Sequence, residues 1–144
     1  MPDASTPANP SPPSLPLILA RELASNLSTP MFLLNQDGVL VYFNDAAEQI
    51  IGKPFAEVGA VDAMEFSAIF RLSQDDGTPI SRGLSPTGIA FLQRRPSHQA
   101  LLATGLDGVR RAVQATAYPL LGAGDALHGV VTVFWEGAPE DEGD

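Results

Sequence analysis

Residues 37–53 read DGVLVYFNDAAEQIIGK, and this stretch decides the fold. Asp37-Gly38 is a tight-turn signal, VLVYF (39–43) is strand-forming, and the run stops at Asn44-Asp45. Asn44 or Asp45 then caps a short helix, because a side-chain oxygen there satisfies amides that lose their partners where the backbone changes geometry. Asp45 with Glu48 three residues on makes a capping-box pattern, and Gly52 is a good C-terminal stop. Upstream, MFLLN (31–35) reads as a strand that pairs with 39–43 in a hairpin.

Working outward toward the N-terminus, residues 15–28 (LPLILARELASNLS) are expected to form an amphipathic helix. Leu15, Leu19, Leu23 and Leu27 recur every four residues, and Pro16 fits the first turn. Leu17 and Ile18 widen the apolar face, which either packs on its own domain or gives part of itself to a second subunit. Thr29-Pro30 ends the helix. Residues 1–14, rich in Pro, Ser and Ala, are expected to be a disordered tail with no secretory-signal pattern. Residues 137–144 are expected to be an acidic disordered tail.

Toward the C-terminus, Phe55, Val58, Val61, Met64, Phe66, Ile69 and Phe70 mark short helices over 54–72, and 74–83 is a loop by composition. Ser85 caps a helix with Pro86 at its first position, Arg94 and Arg95 in its last turn and Pro96 closing it. Residues 98–105 and 109–120 read as a second hairpin across 106–108. LHGVVTVFWE (127–136) is apolar on both faces, the mark of a central strand covered on both sides.

Composition narrows the chemistry. The 144 residues suffice for one core, and no apolar run approaches the ~18 residues of a membrane span. A cytoplasmic protein is therefore the expectation. The formal charge of −9 is concentrated at the acidic C-terminal end, and no basic stripe suggests nucleic-acid binding. The absence of cysteine removes disulfides, thiolate nucleophiles and Cys-based metal sites. No nucleophile elbow, phosphate-cradling Gly loop with Lys, or HExxH motif is present. Asp75-Asp76 read as a solvated loop, and His98 and His128 as isolated histidines, so neither an enzyme nor a metal site is expected.

Strand pair, short helices, a longer helix and three strands ending in an apolar central one: over roughly residues 27–136, with the domain itself at 29–136, this order resembles the PAS domain family. Asn44-Asp45-Ala46-Ala47 falls at the family's N-x-A-A position, and GLDGVRRAVQATAYPLL with HGVVTVFWE is similar to its last hairpin. The resemblance implies an α+β fold. A five-stranded antiparallel sheet has its first and last strands adjacent at the centre, helices cover one face, and the N-terminal amphipathic helix covers the other. It also implies a signalling module that senses a small ligand between helices and sheet, mediates protein–protein interaction and dimerisation, or both. Flavin of the cysteine-adduct type is not expected, since no cysteine exists and the ring-contacting positions read Ala103, Val113 and Phe134. Haem is not expected, since the helix starting at Pro86 carries no histidine.

Laying the alternation on that sheet puts Phe32, Leu34, Leu40, Tyr42, Leu101, Ala103, Val113, Ala115, Ala117, Val130, Thr132 and Phe134 on the helix-covered face. Leu33, Val41, Phe43, Gln114, Thr116, Tyr118, Val131, Val133 and Trp135 go on the other. Small residues Ala103, Ala115 and Ala117 would leave room for an unidentified small organic ligand. Phe32, Phe66, Phe70, Phe91 and Phe134 would wall it, with Tyr42, Thr132 and Arg94 as polar contacts. The alternative is that these aromatics simply fill the core and the domain is a dimerisation module without ligand; a small α+β enzyme is a third reading. The outer face is too apolar to be left in water, so Leu15, Leu19, Leu23 and Leu27 are expected to cover Val133 and Trp135 and to take part in a homodimer. With no effector segment after residue 136, output is expected to pass to a partner protein, unless the chain belongs to something longer.

Overall fold

The computed structural model describes residues 14–62, 72–74, 77–105 and 108–137. Residues 1–13 and 138–144, where the two tails are expected, and Met64, Phe66, Ile69 and Phe70 lie outside the described residues. In chain order the elements are α1 (Leu15–Ser25), β1 (Met31–Asn35), β2 (Val39–Phe43), α2 (Asp45–Ile51), α3 (Phe55–Val58), β3 (Val61–Asp62), β4 (Leu72–Ser73), α4 (Pro86–Gln93), β5 (Ser97–Thr104), β6 (Arg110–Leu121) and β7 (Leu127–Glu136).

Local chemistry accounts for the junction at Asn44. Its side-chain oxygen accepts from the Ala47 amide at 3.1 Å and so caps α2. Because Asn44 and not Asp45 is the cap, Glu48 falls outside the capping-box position. Gly52 ends the helix in the left-handed region at φ 98°, its amide bonded to Glu48 O at 2.8 Å. Ser85 caps α4 by accepting from the Gly88 amide at 3.0 Å. That helix stops at Gln93, earlier than the expected closure at Pro96, and Arg94 is its C-cap.

The strands form one antiparallel sheet in the order β3-β2-β1-β7-β6-β5-β4. It has seven strands among the described residues, where five were expected. The two extra ones, β3 and β4, are two-residue edge pieces, too short to leave a periodic signal in sequence. β1 and β7 pair at the centre, from Met31↔Val133 to Asn35↔Gly129, which brings residues 31–43 and 109–136 into a common sheet.

A β-bulge corrects the facing of β2. Leu33 pairs with Tyr42 and Leu34 with Leu40, so Val41 is an extra residue on the β2 side. Val41 and Tyr42 therefore both belong to the outer cluster, whereas Phe43 turns inward and is fully buried with Leu40. Uninterrupted alternation had placed Tyr42 inside and Phe43 outside.

Two apolar clusters share the sheet. The inner one joins Leu34, Phe43, Leu101, Val113, Val130 and Phe134 to α2 and α4 through Ile50, Ile51 and Ala90. In the outer one, Leu17 and Ala24 of α1 pack on Met31, Leu33 and Val131. The helix stops short of Trp135, which is 41% exposed and stands beside the His98 ring, centroids 6.0 Å apart. Geometry explains the shortfall. The chain must enter β1 at Met31, opposite Val133, so α1 ends there. From Leu17 to Ala24 the helix advances about 10 Å, close to the roughly 13 Å of strand from Gly129 to Val133.

Gly129 makes that seating feasible. A Cβ there would stand 2.5 Å from the Leu34 carbonyl oxygen and 3.0 Å from Leu17 Cδ1. Both neighbours are held, one by the central ladder and one by the α1 contact. Gly129→Ala is therefore expected to lower the unfolding free energy by about 1–3 kcal/mol, as overpacking does. The measurement is the urea midpoint, which falls with an unchanged slope.

Candidate functional site

The inner face brings together most of the residues expected around a ligand. Ala103, Ala115, Ala117, Thr132 and Phe134 are buried on it, and Phe32 is half-buried with its ring 5.7 Å from that of Phe134. Phe91 packs against this cluster from α4, its ring edge lying over Gly38. Phe66 and Phe70 lie outside the described residues.

Two expected polar contacts are not there. Tyr42 lies on the outer face, with the Arg21 guanidinium carbon 4.7 Å from its ring centroid. That cation–π contact ties α1 to β2 and is worth ~0.5–1 kcal/mol at such a site. Arg94 is exposed: as the C-cap of α4 it adopts φ 56°, ψ 41° and reaches away to donate to Asp125 O at 3.2 Å. An arginine at a helix end satisfies loop carbonyls more readily than it gives up its hydration to enter an apolar interior.

Two residues missed in sequence supply the polarity instead. Thr87, in the first turn of α4, shares a 2.7 Å hydrogen bond with the buried hydroxyl of Thr132. This bond closes α4 onto the middle of the sheet, and either oxygen keeps a lone pair for a further donor. At the far side Arg111 donates from Nη1 to Ile50 O at 3.3 Å, in the last turn of α2, with Nε 3.7 Å from Glu136. Its side chain is mostly buried. Strand alternation already put Arg111 on the same face as Val113 and Ala115, and an arginine on an apolar face was the available signal. Thr87 gave none beyond its place in the first turn.

The outer face carries the other set. Leu15, Leu19 and Leu23 are 66%, 59% and 57% exposed, and Ile18 and Leu27 are exposed as well. The expected leucine stripe therefore does not cover the sheet; Leu17, Ala20 and Ala24 do. At about 100° per residue the two sets are centred more than about 120° apart around α1. Val133 is partly buried in the outer cluster, while Trp135, beyond the end of α1, and Tyr118, beside Val131 on β6, remain exposed. His98 bridges this open part, its Nδ1 2.5 Å from Thr116 Oγ1 and its Nε2 2.9 Å from Gln114 Oε1.

Among the described residues, no three of His, Asp and Glu gather as a metal site would need. No described helix is long and apolar enough to cross a membrane. Among the described residues, the buried polar side chains are Asn35, Asn44, Ser85 and Thr132, all uncharged.

No protein-family model matches the chain, and no curated protein matches it. Solved structures do. The PAS domain of BvgS from Bordetella pertussis is 18% identical, with 83% of each chain covered and a TM-score of 0.54. The chain has the PAS fold. A Rhodobacter sphaeroides LOV protein is 12% identical over 88% of this chain and 70% of that one, TM-score 0.68. The light-state dimer of the fungal blue-light photoreceptor Vivid is 14% identical over 93% and 87%, TM-score 0.60. In this PAS fold the inner face lies between α2, α4 and the sheet, and α1 lies behind it.

The Thr87–Thr132 bond is testable by a double-mutant cycle. Thr132→Val and Thr87→Val are each expected to cost about 1 kcal/mol, and the double variant less than their sum. Denaturant unfolding of the four proteins checks it; additive losses would remove the bond from the account.

Proposed function

We propose that the chain is a PAS-type signalling module that acts by binding and not by catalysis, and that it pairs with a second copy through the leucine face of α1. One observation carries this reading: Leu15, Leu19 and Leu23 stand exposed on a helix whose opposite face is already packed. A helix apolar on both sides is a helix with two surfaces to bury. Removing one leucine side chain fully from water stabilises by about 1.5–3 kcal/mol, so three from each copy supply a substantial part of a stable association. Exposed Trp135 and Tyr118 extend the same side of the molecule. Vivid, whose light-state form is a dimer, shares the fold. Output to a partner protein and a cytoplasmic setting belong to this reading.

A sensor role for the inner face is supported by its own chemistry. Ala103, Ala115 and Ala117 offer small side chains, the Thr87–Thr132 hydroxyls lie at one place, and Arg111 at another. That pattern suits a small, largely apolar organic molecule with hydrogen-bond acceptors. Such a ligand would act by its differential affinity for two arrangements of the helices. Native mass spectrometry of protein purified from its host would show it as a retained mass.

For the pairing, Leu19→Asp/Leu23→Asp is expected to turn a dimer into a folded monomer in light scattering at micromolar concentration, with unchanged far-UV circular dichroism. A wild-type protein that stays monomeric at high concentration would remove the reading.

A further inference from the structure

The carboxamide of Asn44 is bonded at both ends to elements on opposite faces of the sheet. Its Oδ1 accepts from Ala47 N at 3.1 Å, in the first turn of α2, and from Met31 N at 3.1 Å, where β1 begins. Its Nδ2 donates to Ala24 O at 3.0 Å, in the last turn of α1, and to Thr29 O at 2.9 Å, in the loop leading to β1. Leu27 O lies at 3.5 Å from the same nitrogen. The side chain is 2% exposed, so water does not replace any partner that is lost. The last carbonyls of a helix have no partner within it, and Ala24 O is met by Asn44 Nδ2, by Leu27 N at 3.2 Å and by the Asn26 amide.

α2 belongs to the inner cluster and α1 to the outer one. The two helices are thus tied through one rigid, planar group. We infer that Asn44 couples them, so that the seating of α1 follows the position of α2. When α2 moves off the sheet it carries Oδ1 with it, and the plane of the amide turns. The Nδ2 bonds to Ala24 and Thr29 then lengthen, and the C-terminal turn of α1 loosens. Events over the inner face become visible at the leucine face without passing through the strands. The coupling stands on the hydrogen bonds alone; its consequence for pairing rests on the proposed role of α1.

Hydrogen exchange on the full 144-residue chain, read at the amides of residues 19–25, tests it. Asn44→Asp keeps an oxygen for Ala47 and Met31 but turns an oxygen, not a donor, toward the Ala24 and Thr29 carbonyls. Exchange in α1 is expected to rise roughly fivefold to thirtyfold, the effect of one or two lost hydrogen bonds, while the amides of Val130–Thr132 in β7 stay protected. Gln49→Gly perturbs α2 from its exposed side, without touching the core or Asn44. In the wild-type background it is expected to speed exchange in both α2 and α1. In the Asn44→Asp background it is expected to speed only α2. Asn44→Ser, which also keeps a cap oxygen but loses the Nδ2 amide that reaches Ala24 and Thr29, takes the place of Asn44→Asp if that variant does not fold. An α1 that ignores Gln49→Gly overturns the inference, and so does one that responds equally with and without the Asn44 amide. The native mass of the same samples separates the two proposals. A monomer whose α1 follows α2 keeps the coupling and removes the pairing; a dimer whose α1 ignores α2 does the reverse.

Discussion

Pairing between β1 and β7 is the constraint on which the rest of the molecule depends. It joins the two ends of the folded body, Met31–Asn35 against Gly129–Val133, and puts apolar strands where both faces need cover. The inner cover comes from α2 and α4, the outer from α1. Each cover then has a fixed address. α1 must end where β1 begins, and Gly129 must lack a side chain so that Leu17 and the Leu34 carbonyl can both approach. A substantial share of the stability is expected to lie in this two-sided burial, because apolar area removed from water is the dominant favourable term in folding.

That arrangement also sets what α1 has left to offer. A sheet surface built from Met31, Leu33 and Val131 is already bulky, and the helix meets it with Leu17, Ala20 and Ala24. Small residues let the helix axis come close, so that helix and sheet meet at the packing density of a protein interior. The leucines are thereby turned outward, and the functional reading follows from that facing. Had they covered the sheet, α1 would be a structural lid with nothing to present. Arg21 over Tyr42 and the Asn44 bonds hold the helix at one rotation, so its outward face is a defined surface.

The inner side shows the complementary logic. Among the described residues, Thr132 is engaged with Thr87, Arg111 with the end of α2 and Asn44 with five backbone groups. Buried polar groups that are fully bonded specify one arrangement, whereas unpaired ones would favour alternatives. The contacts that hold α2 and α4 on the sheet are thus directional bonds at a few points laid over a non-directional apolar bed. Shifts of the helical layer are expected to occur about those points.

Much of this was legible locally. The hairpin, the cap at Asn44, the stop at Gly52, the cap at Ser85 and the alternation along β6 and β7 all follow from preferences that act over a few residues. The run 127–136, apolar on both sides, marked its strand as central, whereas the neighbouring of first and last strands was implied only by the family resemblance. The sequence by itself settled the order of the five longer strands and of α1, α2 and α4, and the facing of uninterrupted strands, but not the short edge strands β3 and β4. Only the tertiary structure decided the bulge at Val41 that exchanges Tyr42 and Phe43, the outward leucines of α1, the exposed position of Arg94 and the uncovered Trp135. For α1 and for the bulged β2 the physical reason is the same. Periodicity says that a segment has an apolar side, but a segment with two such sides is settled by steric fit to a surface made about a hundred residues away.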